Sequence, residues 1–114
     1  MTNLKNITNH YQQMINGELH EYHCNEWKMD IYFRITYPFK VESKIVEYQS
    51  QGLVVDALVQ SIIAKALDAE GKRLFTDADR ITLMQEADPA VIIKVAGAIN
   101  NAKVNLAKEQ IAKE

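Results

Sequence analysis

The sequence predicts an α+β fold that is predominantly α-helical: a short N-terminal helix, one β-hairpin over about residues 18–35, then about four helices. Three observations carry this. Met29, Ile31, Phe33 and Ile35 alternate with Lys28, Asp30, Tyr32 and Arg34, the period of a half-buried strand. Residues 53–67 spread apolar side chains over an arc of about 180° at about 100° per residue, as a helix touched from several directions requires. Asp88-Pro89 couples an N-cap residue to a proline at the first helical position.

Residues 3–15 form the first predicted helix, with Leu4, Ile7, Tyr11, Met14 and Ile15 at spacings of three and four. Asn16-Gly17 stops it, because both residues tolerate positive φ. Residues 18–24 and 28–35 read as two strands around an Asn25-Glu26-Trp27 corner. A lone hairpin is marginal in water, so this one must lean on helices. Pro38 ends the region. Residues 40–51 are helical, with Val41, Ile45 and Tyr48 on one stripe and Gly52 as the C-cap glycine.

Residues 53–67 make the most apolar and most central helix, with Val54, Val55, Leu58, Val59, Ile62, Ile63 and Ala66 filling its arc. The run Asp68-Ala-Glu-Gly-Lys-Arg-Leu-Phe75 is a solvated connector. Thr76 N-caps a helix reaching about Ala87, favoured by Asp77 and Asp79. The last helix runs from Pro89 to at least Asn100, with a helical or frayed tail at 103–114. Its main apolar line is Val91, Val95, Ala98, Ile99, Ala102 and Leu106; a second comprises Ile93, Val104 and Ile111. The second line is either a further core contact near the hairpin or a face for another chain.

The length of 114 residues fits one domain, 1–114. At 47% hydrophobic and 25% charged, the composition is that of a globular chain. A net charge of −2 without a Lys/Arg run disfavours nucleic acid as partner. The single cysteine, Cys24, excludes an intramolecular disulfide and fits a reducing compartment. No signal peptide is expected, since no apolar run follows a basic head. The most apolar stretch, 53–67, is interrupted by Asp56, Gln60 and Lys65 and is too short for a membrane span.

Catalytic and metal chemistry find little support. Zinc needs four ligands, or three with water, and on a strand His23 faces away from His20 and Cys24. The same alternation places Cys24 and His23 poorly for a thiol nucleophile. Asp68-x-Glu70-Gly71 echoes a calcium loop, but loop positions 5, 6 and 12 fall on Lys72, Arg73 and Asp79. The glycines lie too far apart for a phosphate loop. Trp27, Tyr32, Phe33, Tyr37 and Phe39 cluster in sequence as a base-stacking platform would, yet few basic residues flank them, and packing against the helices is the better reading. A helix-turn-helix at Ala87-Asp88-Pro89 would carry a recognition helix too apolar to read bases. The expectation is a non-enzyme without metal or cofactor.

Three motifs in order go further. Glu26-Trp27 opens a strand ending at Arg34. An apolar helix leads into Asp68-Ala-Glu-Gly-Lys-Arg-Leu-Phe-Thr-Asp-Ala-Asp79. A helix start at Asp88-Pro-Ala-Val leads to Ala98-Ile-Asn100. Over residues 18–102 the chain resembles the tail assembly chaperones of long-tailed bacteriophages, whose similar members carry a Glu-Trp hairpin, an Asp-x-x-Gly-Lys-x-Leu-Phe connector and a closing helix ending near an Asn.

The resemblance implies a protein that binds the long, helical tape measure protein, protects its apolar surface and helps recruit tail tube protein. It implies action in the host cell cytoplasm, absence from the mature virion, and a longer frameshifted product that contacts the tube protein. Homo-oligomers are expected; nucleic acid and membrane are not. No family binding residue carries over. From the residues themselves, the candidate partner face is Ile93, Val104 and Ile111, followed by Val54, Leu58 and Ile62. The alternative is a structural head–tail connector or tail completion protein.

Overall fold

The central element is a helix packed against three others, as its wide apolar arc requires. The computed structural model describes residues 2–15 and 19–101. In chain order the elements are α1 (Thr2–Ile15), β1 (His20–Cys24), β2 (Met29–Phe33), α2 (Phe39–Ser50), α3 (Val54–Lys65), a 3₁₀ turn (Asp77–Asp79), α4 (Arg80–Gln85) and α5 (Pro89–Asn100). The fold is α+β and predominantly helical. The expected stop at Asn16-Gly17, the tail, and the predicted positions Ala102, Val104, Leu106 and Ile111 lie outside the described residues.

β1 and β2 pair antiparallel, with His20 opposite Phe33 and Cys24 opposite Met29. Asn25–Lys28 forms the turn, closed by the Lys28 N–H donating to the Asn25 carbonyl at 3.3 Å. Lys28 itself stands at φ 53°, in the left-handed region. Cys24, Ile31 and Phe33 enter the core, while His23 and Asp30 meet on the outer face at 2.5 Å. β2 ends two residues earlier than its alternation suggests. The Arg34 N–H donates to the Tyr37 hydroxyl at 2.9 Å, turning the chain away from the ladder.

The connector after α3 is more than a solvated turn. Leu67 exchanges hydrogen bonds with Tyr32 of β2, at 2.7 and 2.9 Å, and forms a second bridge to Arg73. Asp68 holds the tip: its carboxylate accepts from the Glu70 and Lys72 N–H groups, both at 2.9 Å. Gly71 turns at φ +84°. The connector thus adds bridge partners to the edge of β2, which alternation alone did not predict.

α2 ends in a Schellman arrangement: Gly52 at φ +77° donates to Gln49, and Leu53 to Tyr48. Ile45 is its buried residue, with Val41 and Tyr48 half-buried beside it. Phe39 lies six positions before Ile45, about 240° around the helix. It is accordingly 85% exposed and does not join the expected aromatic packing.

The core centres on α3, whose Val59, Ile62 and Ile63 are fully buried together with Val95 and Ala96 of α5. α4 is shorter than expected. The 3₁₀ turn takes its first residues, with the Asp79 carboxylate accepting from the Thr76 N–H at 2.8 Å. The Asp88 carboxylate accepts from the Ala90 N–H at 2.9 Å and caps α5 as expected.

Candidate protein-docking groove

α3 and α5 run in roughly the same direction. Their C-terminal ends meet where Asn100 touches both Ser61 and Lys65, and their N-terminal ends meet through Leu58 and Ile92. The two ends of this pair differ in chemistry.

At the C-terminal end the polar groups are engaged with one another. Lys65, only 5% exposed, donates to the Asn100 carboxamide oxygen at 3.1 Å and pairs with Glu42 at 2.6 Å. Its ammonium lies 5.3 Å from the centre of the Tyr37 ring. The Asn100 amide donates to Ser61 Oγ at 3.2 Å. The Tyr37 hydroxyl donates to the Lys65 carbonyl at 2.7 Å, and Arg73 donates to the Ile63 carbonyl at 3.0 and 3.2 Å. These bonds satisfy carbonyls that the last turn of α3 leaves without helical partners. Burial raises the Tyr37 phenol above its ordinary pKa. A cleft of about 460 Å³ opens here, but its Lys65, Tyr37, Glu42 and Asn100 are the same groups that hold the fold.

At the N-terminal end lies a smaller, nearly apolar groove of about 140 Å³. Val54, Val55 and Leu58 of α3 form one wall. Leu83 and Met84 of α4, with Ala87 and Pro89, form the floor and far side. Ile92 and Ile93 of α5 close it. Val54, Val55 and Ile93 stand 61%, 53% and 58% exposed, so the groove opens to water along an apolar rim. Exposed apolar side chains gathered around a groove make it a candidate interaction surface.

Three of the predicted partner residues, Val54, Leu58 and Ile93, therefore come together although α3 and α5 are distant in sequence. Ile62 does not join them. It is fully buried in the core, because the line from Val54 through Leu58 passes beneath α5 one turn later. Val104 and Ile111 lie outside the described residues. The sequence reading missed Val55 as rim, and Met84, Ala87 and Pro89 as lining. Only the juxtaposition of the short α4 with α3 and α5 reveals them.

The motif residues have structural duties elsewhere. Glu26 pairs with Lys94 of α5 at 3.1 Å, fastening the hairpin turn to the helix. A local backbone hydrogen bond and Lys94 lower the Glu26 pKa, and Glu26 raises that of Lys94. Trp27 meets Phe75 edge-on, with centroids 6.2 Å apart. Arg80 donates to Gln60 and sits over the Tyr48 ring at 5.4 Å, linking α4 to α3 and α2.

Among the described residues no three His, Cys, Asp or Glu side chains group as a metal site, and no helix is long and apolar enough to cross a membrane. The described residues define an α+β domain with an apolar interhelical groove. Comparison of the chain with protein-family models, with curated proteins and with solved structures finds no match.

Proposed function

We propose that this protein is an assembly chaperone that holds the apolar face of a helical client in the groove between α3, α4 and α5. The carrying observation is the convergence of Val54, Leu58 and Ile93 on one open, apolar cleft. A groove of this type accepts a helix through side chains spaced three and four apart. Many copies along one extended client would gain avidity without strong individual contacts.

The client we propose is a tape measure protein, through the resemblance of the Glu-Trp hairpin, the Asp68–Phe75 connector and the helix ending at Asn100 to phage tail assembly chaperones. In this reading the protein acts in the host cytoplasm, helps recruit tail tube protein and leaves before the virion is complete. The reading assigns it no catalysis and no cofactor.

The test is co-expression with a phage tape measure protein. The wild-type chain should raise the client's soluble fraction and co-purify with it, and Val54→Asp with Ile93→Asp should abolish both effects. No rise and no co-purification with wild type rejects the proposal. Mass spectrometry of purified virions separates a chaperone, which is missing, from a connector or completion protein, which is retained.

A further inference from the structure

We propose that, without a client, the groove receives helix α1 of a second copy of this chain, so that the protein associates with itself by arm exchange. This inference concerns occupancy of the groove by the chain itself and stands whether or not the client is a tape measure protein.

α1 is a helix in search of a cover. Its Leu4 and Ile7, one turn apart, are 62% and 64% exposed. They begin a series of apolar positions spaced three and four along residues 2–15. A helix of 14 residues is marginal in water by itself and draws most of its stability from a buried face. The groove offers the complementary surface, with Val54 and Ile93 equally exposed.

Charge points the same way. Residues 2–15 contain Lys5 and no acidic residue. Asp56, Glu86 and Asp88 adjoin groove-lining residues, and the nearby Lys94 is paired with Glu26. A helix bearing one lysine would thus approach an apolar slot flanked in sequence by three carboxylates, an arrangement that favours encounter and orientation.

The chain's own α1 leaves the groove uncovered, since Leu4 and Ile7 of α1 are exposed together with Val54 and Ile93 of the groove. α1 leads into β1 at His20, which pairs with Phe33. The next residue, Arg34, is joined through Tyr37 to Lys65, at the C-terminal end of α3. The groove begins at Val54, about 16 Å away along α3 at 1.5 Å per residue. The root of α1 and the groove therefore sit at opposite ends of the α3–α5 pair.

The experiment is sedimentation equilibrium of the full chain over a concentration series. Wild type should show the mass of two or more chains. Leu4→Glu with Ile7→Glu, and separately Val54→Glu with Ile93→Glu, should each weaken association by at least about tenfold. All four positions are exposed, so circular dichroism should show the body still folded, and the milder Val54→Ser with Ile93→Ser should give a smaller shift in the same direction. Mixing the arm variant with the groove variant should restore a two-chain species, because one intact arm then meets one intact groove. A monomeric wild type, whether α1 is free or folded onto its own groove, overturns the proposal. So does an arm variant with wild-type mass, or a mixture that stays monomeric. Client solubilisation is not the readout, so failure here leaves the chaperone reading separately decidable.

Discussion

Asn100, the last residue of α5, accepts a hydrogen bond at 3.1 Å from the ammonium of Lys65, which is 5% exposed in the last turn of α3. A lysine so deeply placed needs compensation, and Asn100, Glu42 and the Tyr37 ring supply it. Asn100→Leu should cost about 1–3 kcal/mol by leaving Lys65 underpaired. Lys65→Met should partly rescue it, because the double variant removes the charge with its acceptor. Urea unfolding of the two single variants and the double variant gives the coupling. Additivity would mean that the two side chains do not interact.

Tyr37 predicts an alkaline signature. Burial raises its phenol above the ordinary value, so the folded state holds that proton more tightly than the unfolded chain. The contribution is complete below the unfolded pKa of about 10 and is lost as pH rises through the folded value. Tyr37→Phe should cost about 1–3 kcal/mol at neutral pH and flatten this alkaline loss. Slope remaining in the variant comes from other groups, including Tyr32, whose phenol is raised by the Glu21 charge. An unchanged slope in denaturation measured across alkaline pH would contradict the assignment.

Three left-handed positions separate strain from crowding. Lys28→Gly should stabilise by about 0.5–1 kcal/mol, since a lysine at φ 53° pays a steric cost that glycine avoids. Gly52→Ala should cost about 1 kcal/mol from φ alone, as nothing lies within 4 Å of the added carbon. Gly71→Ala should cost more, because its Cβ would also stand 3.2 Å from an Arg34 guanidinium nitrogen. Thermal unfolding of the three proteins ranks them, and equal losses at Gly52 and Gly71 would remove the crowding contribution.

Groove and core should respond oppositely. Ile62→Ala should cost about 2–5 kcal/mol, as for other fully buried aliphatics. Ile93→Ser should change stability by no more than about 0.5 kcal/mol, since the side chain is mostly exposed. It should nevertheless reduce client capture in the co-expression assay. A large stability loss at Ile93 would make it a packing residue and remove it from the groove's rim.

The sequence by itself determined the order and type of the elements, because the signals are local. Strand alternation at Met29–Phe33, the Gly52 stop and the Asp88-Pro89 start each act within a few residues, and each is found. It also marked α3 as central from the width of its apolar arc. Only the tertiary structure decided which apolar residues stay open. Val54, Leu58 and Ile62 form one helical line, yet α5 covers Ile62 and leaves Val54 at the rim. Likewise, Lys65 and Gln60 look like polar interruptions and are buried, because partners from other elements, Asn100 and Arg80, reach them. Burial depends on which elements meet across long sequence separations, and helical periodicity within a single segment carries no record of that.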